Sequence, residues 1–300
     1  MSKALEYNLA ESRRNGWNAS ILGEDKIDEQ FCEVVKAFQK SHGLTADGML
    51  GPTTFRRILT EKESKISAQP TSTSSAVDYI ICNGKQVPVK GGVKVLTWQE
   101  KDGLSVKGGY STSSSRNIKH FVTHWDAALS SKSCRDILQQ RGLAVHFMID
   151  NDGTIYQLVD TAHKAYHAGD ANSSSIGVEV SNAYYTKYNS WYEKNGFGKR
   201  RVLPSMKTAA GTIDEHLDFY DAQYEALSAL WEAIHRAHNI PLVIPDKLTG
   251  TIDWSDFRGF MNHFHITNQK IDCYGIDHQR VLNRAIQLSN SWLDFPPPLR

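Results

Sequence analysis

The sequence predicts a small all-α module over residues 1–60 followed by an α/β domain over residues 77–300. Three observations carry that prediction. The chain has 300 residues, more than one hydrophobic core usually organises. Residues 61–76, EKESKISAQPTSTSSA, show no apolar periodicity and are rich in Ser and Thr, the composition of a flexible linker. Ahead of that run apolar residues recur at helical spacing; beyond it, short strand-like apolar runs alternate with helical stretches.

In the first module, Leu5 and Leu9, then Phe31, Val34, Val35 and Phe38, then Phe55, Ile58 and Leu59 predict three helices. The connection over 43–52 supplies glycines for left-handed turn positions and a proline suited to the first turn of the last helix. Past the linker, a β-rich lead-in is expected over 79–115. Residues 79–89 read as a hairpin about Asn83-Gly84, and 93–100 with 104–107 as a second hairpin about Lys101-Asp102-Gly103. A polar loop follows over 108–116. Residues 118–125 read as a strand, 132–140 as a short helix, and 144–150 with 154–159 as strands joined through Asn151-Asp152-Gly153. Residues 176–180 form one more buried strand, and 220–238 a long amphipathic helix with Asp221 as its cap. The stretches 183–218 and 239–260 contain Gly and Pro. Tyr184, Tyr185, Tyr188, Trp191 and Tyr192 interleave with charge there, so both stretches read as surface insertions bordering a groove.

Lys and Arg number 34 against 33 Asp and Glu, a formal charge of +1. No global basic field exists to attract nucleic acid, which excludes a generic DNA binder. No window approaches the roughly 20 apolar residues that cross a bilayer, so no membrane insertion is expected. The start MSKALEYNLAESRRNGW lacks the apolar core of a secretory signal, which predicts synthesis in the cytoplasm. Cys32, Cys82, Cys134 and Cys273 show no close pairing, so neither a disulfide scaffold nor a Cys-x-x-Cys zinc knuckle is indicated.

His124 ends the apolar run FVTHW, where a side chain can leave the sheet edge and enter a crevice. Alone it would read as a half-buried, hydrogen-bonded histidine. Downstream, NHFHITNQKIDCYG offers His263, His265, Lys270, Asp272 and Cys273 within eleven residues. A catalytic zinc takes three N, O or S ligands and keeps one position open, and His124, His263 and Asp272 meet that need. A hydrolase also requires a base near the water and a cation for the developing oxyanion. Glu179, an acid in the otherwise apolar strand SSIGVEVSN, is costly there unless paired or functional. Lys270 stands two residues before Asp272 and is the candidate cation.

Taken together, FVTHWDAA, VHFMIDNDGTIYQLVD, AYHAG, SIGVEV, YDAQYEAL and HFHITNQKID, in that order over about residues 117–285, resemble the zinc-dependent N-acetylmuramoyl-L-alanine amidases. That family includes amidase-type phage lysozymes and animal peptidoglycan recognition proteins. The resemblance implies a mixed central β-sheet flanked by helices, with one zinc ion at the sheet edge on His124, His263 and Asp272. His265 is the rival to His263, and Cys273 the rival to Asp272, because some members use a thiolate there. A Pro normally follows the last ligand, and Cys273 stands in its place. Some phage members carry a catalytic Tyr where this chain has Val145; others use a Glu in the position of Glu179. His146 and His167 match positions resembling groove or supporting residues, and Trp125 adjoins the first ligand as a substrate contact. The first sixty residues, through VVKAFQKSHGLTADGMLGPTTFRRIL, resemble a three-helix peptidoglycan-binding module. Phe38, Gln39, Gly43, Leu44, Asp47, Gly48, Gly51 and Thr53 match, and most of these determine its fold.

The resemblance implies a monomeric peptidoglycan hydrolase that cuts the amide between N-acetylmuramic acid and the L-alanine of the stem peptide. A phage or prophage endolysin is the first expectation, reaching the wall after release by a holin or through a secretion partner. The alternatives are a non-catalytic peptidoglycan-recognition protein and a zinc amide hydrolase acting as an effector on another wall-derived substrate. A weak wall-binding module on a linker would raise the local concentration of the catalytic domain at an insoluble substrate.

Overall fold

The computed structural model describes residues 1–65, 78–112, 116–247 and 249–291. In the N-terminal region, amphipathic spacing and local caps build α1 (Lys3–Asn15), α2 (Glu29–Ser41) and α3 (Pro52–Glu63). Ser2 and Asp28 cap the first two helices by accepting from the backbone N–H groups of Leu5 and Phe31. Pro52 occupies the first turn of α3, where no helical N–H is needed. Trp17, Phe31, Val35, Leu50, Phe55 and Ile58 close a core of their own. Gln39 holds the α2–α3 connection: its Nε2 donates to Asp47 and to the Met49 carbonyl, and its Oε1 accepts from Gly48 N–H. Helix α3 runs through Glu63, so the expected linker begins three residues late; residues 66–76 of it lie outside the described residues.

The second region opens with β1 (Tyr79–Cys82) and β2 (Lys85–Pro88), an antiparallel hairpin turned by Asn83 and Gly84, both at positive φ. The second expected hairpin does not form. Only β3 (Val95–Thr97) is a strand there, and it pairs in parallel with a segment sixty residues away. Glu100 instead turns back, its carboxylate accepting from Thr97 N–H, and residues 104–107 are irregular.

Continuing along the chain come β4 (Tyr110–Ser111), β5 (His120–Trp125), α4 (Ser131–Gln140), β6 (Phe147–Ile149), β7 (Ile155–Gln157), β8 (Lys164–Ala165) and β9 (Ser175–Val180). Helix α5 (Asn189–Lys194) and the short strands β10 (Val202–Leu203), β11 (Met206–Thr208), β12 (Gly211–Ile213) and β13 (His216–Leu217) follow. The last elements among the described residues are α6 (Asp221–His238), β14 (Gly259–Asn262), α7 (His263–Ile266) and α8 (His278–Asn290). The central sheet is six-stranded and mixed, in the order β14-β5-β9-β6-β7-β3, antiparallel only between β6 and β7.

Alternation along β5 and β9 gives the sheet two different faces. Phe121, Trp125, Ile176, Val178 and Val180 point to one side and join Trp231, Leu227 and Ile234 of α6 with Val281 and Ala285 of α8 in the main core. His120, Val122, His124, Ser175, Gly177 and Glu179 occupy the alternate positions. Helix α4 packs over Met148 through Cys134, Ile137 and Leu138.

Three expectations need correction here. Tyr220, not Asp221, is the N-cap of α6, in a reciprocal cap with Gln223, while Asp221 pairs with Arg280 of α8. Residues 259 and 260, assigned to the second insertion, belong to β14 at the sheet edge. In the first insertion Tyr188, Trp191 and Tyr192 are largely buried with Leu129 and Leu217; Tyr184 and Tyr185 line the cleft beside Asp272, and Tyr188 and Trp191 line a separate cavity with Glu61 and Lys187.

Candidate metal centre

Strands β5 and β14 are parallel neighbours, and His124 and His263 sit at their carboxyl ends, where an open α/β sheet forms its crevices. Asp272 arrives from the loop beyond α7. That loop is folded back by the Phe264 N–H, which donates to the Asp272 carbonyl at 3.1 Å, and by Tyr274 stacking on Phe264 with centroids 3.9 Å apart. The result is convergence on one carboxylate oxygen: His124 Nδ1 lies 2.9 Å and His263 Nδ1 3.0 Å from Asp272 Oδ2. Ligand atoms of the three residues all lie within 4.8 Å of one another.

This donor set could hold a metal ion. Ligand atoms about 2.0–2.1 Å from a tetrahedral ion stand about 3.3 Å apart along each edge, a few tenths of an ångström more than the two separations found here. Burial alone would raise the Asp272 carboxyl, but the two imidazoles beside it, His263 foremost, hold it well below its ordinary range. Burial, with His263 beside it, lowers His124 to about 4. A neutral imidazole and an ionised carboxylate are the forms a metal ligand needs.

The far side of His124 is fixed by His167. His124 Nε2 and His167 Nδ1 are 3.0 Å apart, and His167 Nε2 is 3.3 Å from Ser175 Oγ. With His124 Nε2–H donating to His167 and His167 Nε2–H donating to Ser175, the Nδ1 of His124 keeps its lone pair free toward Asp272. His167 lies directly on the sheet because residue 177 is glycine: a Cβ there would come within 2.5 Å of the ring.

The rival ligands are engaged elsewhere. His265 accepts from Asn262 N–H at 2.9 Å and donates to the Lys247 carbonyl at 2.9 Å, so it caps α7 and both its nitrogens are used. Cys273 is fully buried in the main core, where burial pushes its thiol well above its usual value. All four cysteines are buried and free.

Glu179 faces the same side of the sheet as His124, its register partner on β5. It is 6% exposed, and its Oε2 has no hydrogen-bond partner among the described residues. Burial pushes its carboxyl well above the ordinary range, opposed by Arg56 and reinforced by Asp272. Lys270 is exposed and lines two cavities that open on the site. One, about 310 Å³, runs past Trp125, Tyr184 and Asp272; the other, about 570 Å³, runs past His167, Trp254 and His263.

Of the expected substrate contacts, Trp125 and His167 line these cavities and His146 does not. His146 is 0% exposed, accepts from Gly177 N–H at 3.1 Å and donates to the His163 carbonyl at 2.9 Å. It is a packing residue, held neutral by burial, which lowers it to about 3. Sequence reasoning missed Asp126, which ties the carboxyl ends of β5 and β9 together by accepting from Ala128 N–H, Asn182 N–H and Ser181 Oγ–H. It also missed Arg56 and Arg57 of α3, which line the first cavity. Their adjacency on an otherwise amphipathic helix was the only signal available.

Residues 114–272, a little over half of the chain, match the family model described as N-acetylmuramoyl-L-alanine amidase. Residues 5–58 match the model described as "Putative peptidoglycan binding domain". No curated protein sequence matches the chain. Among solved structures, the chain is similar to the endolysin N-acetylmuramoyl-L-alanine amidase LysCS from Clostridium intestinale URNW, with 15% identity, 68% of this chain and 97% of that one covered, and a TM-score of 0.39. The Ph2119 endolysin of the Thermus scotoductus MAT2119 bacteriophage shares 13% identity over 64% of this chain and 99% of its own, with a TM-score of 0.39. The amidase AmiD from E. coli, solved with an anhydro-N-acetylmuramic acid peptide, shares 24% identity over 42% of this chain and 46% of its own, with a TM-score of 0.30.

Proposed function

The chain belongs to the N-acetylmuramoyl-L-alanine amidase family, and from that premise we propose a zinc-dependent peptidoglycan amidase, an endolysin of phage or prophage origin, with an N-terminal wall-binding module. The observation that carries the zinc reading is the convergence of His124 Nδ1 and His263 Nδ1 on Asp272 Oδ2 at 2.9 and 3.0 Å. His124, His263 and Asp272 would hold the ion. Zinc bound there supplies Lewis-acid polarisation of the scissile carbonyl and a water of lowered pKa.

The chain's own residues do the rest. Glu179, buried on the same face of the sheet, accepts the proton of the attacking water as the new C–O bond forms at the lactyl carbonyl. Its raised pKa suits the return step, in which it gives that proton to the amine nitrogen of L-alanine as the C–N bond breaks. The products are the lactyl carboxylate and a free stem peptide. Lys270, at the mouth of both cavities, offsets the negative charge on the carbonyl oxygen. His167 keeps His124 in the required tautomer. Trp125 and His167 offer the walls along which the substrate lies.

No helix among the described residues is long and apolar enough to cross a membrane. A holin or a secretion partner is the proposed route to the wall. Mass spectrometry of digested peptidoglycan tests the reading. Free stem peptides beginning at L-alanine, with glycan freed of peptide, are expected; intact muropeptides alone would contradict it and point to a binding protein.

A further inference from the structure

The third helix of the wall-binding region is built into the wall of the active-site cleft. Leu59 packs into the cluster formed by Ala128, Cys134 and Leu138 beneath α4. Thr60 Oγ1 donates to the Ala127 carbonyl at 3.2 Å, Ser130 Oγ donates to Glu63, and Tyr188 Oη donates to Glu61 at 2.7 Å. Ala127 lies three residues beyond His124, so this docking sets α3 beside the metal site. The 310 Å³ cleft that results has Arg56 and Arg57 on one side and Trp125, Tyr184, Lys270 and Asp272 on the other.

The two arginines are incompletely satisfied there. Arg57 is 6% exposed; its guanidinium lies 3.4 Å over the Tyr185 ring and 3.7 Å from Glu61, yet its Nη1 has no hydrogen-bond partner among the described residues. Arg56 Nε is likewise buried without a partner. Buried guanidinium N–H groups are costly to leave unpaired and are matched in geometry by a carboxylate. Arg141 adds a further positive charge to the same cleft. The anionic groups nearby are Glu61, occupied by Lys187, Tyr188 and Arg57, Asp272, occupied by the two histidines, and buried Glu179. The cleft therefore presents net positive charge to whatever enters beside the scissile bond.

We infer that Arg56, supported by Arg57, forms an anion subsite for the peptide side of the substrate, so that the active site is complete only with the wall-binding region docked. The inference rests on the amidase reading, because a stem peptide whose second residue is a γ-linked D-glutamate, as in the peptide solved with the amidase AmiD, keeps a free α-carboxylate on the residue after L-alanine. It changes the role of the N-terminal region from a tether to a supplier of specificity.

The test uses the full chain and two soluble muramyl peptides that share the scissile amide, one with that carboxylate free and one with it converted to a carboxamide. Wild type is expected to prefer the free acid by about tenfold in kcat/KM, through KM. Arg56→Ala should raise KM about tenfold on the free acid and leave KM on the carboxamide unchanged, any effect through Glu179 falling on kcat of both substrates alike, with Arg56→Lys retaining part of the preference. A wild type indifferent to the carboxylate, or an Arg56→Ala variant whose KM changes equally on both substrates, overturns the subsite while leaving the amidase reading intact. A folded wild type that cleaves neither substrate overturns both. Arg56→Gln, which keeps size and polarity, must reproduce the Arg56→Ala pattern; wild-type kinetics in Arg56→Gln would refute a role for the charge.

Discussion

Gly177→Ala is a one-methyl perturbation whose consequence for metal binding can be worked from the coordinates. The new Cβ would lie 2.5 Å from His167 Nδ1 and 2.6 Å from Cε1, against about 3.5–4.0 Å for an unstrained contact. The ring must move by about 1 Å. Because Nδ1 makes both contacts, a shift of that size away from the sheet pulls the 3.0 Å contact between His167 Nδ1 and His124 Nε2 out of its alignment. Overpacking should lower the stability of the metal-free protein by about 1–3 kcal/mol. Losing the group that orients His124 should weaken zinc binding about 10–100-fold. Chemical denaturation measures the first quantity and competition with a chromophoric chelator the second. Adding His167→Ala should relieve the clash, so the double variant should be no less stable than His167→Ala alone. Wild-type stability together with wild-type zinc affinity in Gly177→Ala would refute the claim that His167 is clamped between sheet and ligand.

Glu179→Gln should retain fold and zinc while lowering turnover about 10²–10⁴-fold; cell-wall release at the wild-type rate would remove Glu179 from the mechanism. Arg57→Ala removes a desolvated cation from the face of Tyr185, worth about 2 kcal/mol. Small-angle scattering should then show a larger radius of gyration as α3 undocks, and an unchanged radius would contradict the docking account. Burial lowers His120, His146, His238 and His278 to about 4, 3, 4 and 3. Each binds a proton in the unfolded chain below about pH 6.5 but not in the fold until near pH 3–4. Stability of the metal-free protein should therefore be full above pH 6.5 and fall between 6.5 and about 4, by about 1.4 kcal/mol per pH unit for each histidine. Denaturant titrations at stepped pH test this, and a flat profile from pH 7 to 4.5 would contradict it.

The parts of this molecule legible in the sequence are those written in local pattern. The Asn83-Gly84 hairpin and the helices with period 3.6 need only near neighbours to form, and their residues announce them. Histidine density around residues 263–272 drew attention to the metal centre. That density had two causes, since His265 serves as a helix cap and His263 faces Asp272. What stayed hidden depends on contacts between distant segments. Parallel pairing of β3 with β7 joins strands sixty residues apart, and no turn signal marks it. The burial of His146 follows from its place between Gly177 and the loop at His163. The presence of Arg56 and Arg57 beside Asp272 follows from docking of α3, which a helix's own periodicity does not encode.

The central claim is that two imidazoles and one carboxylate hold a single zinc ion while the neighbouring thiol stays in the core. X-ray absorption at the zinc edge of the purified full chain, with metal content from the same sample, tests it most directly. One zinc per chain with only nitrogen and oxygen neighbours at about 2.0–2.1 Å is expected, and Asp272→Ala should lose the ion while Cys273→Ala keeps it. A sulfur neighbour at about 2.3 Å, or a protein that leaves dialysis without zinc and does not take it up again, would contradict the account.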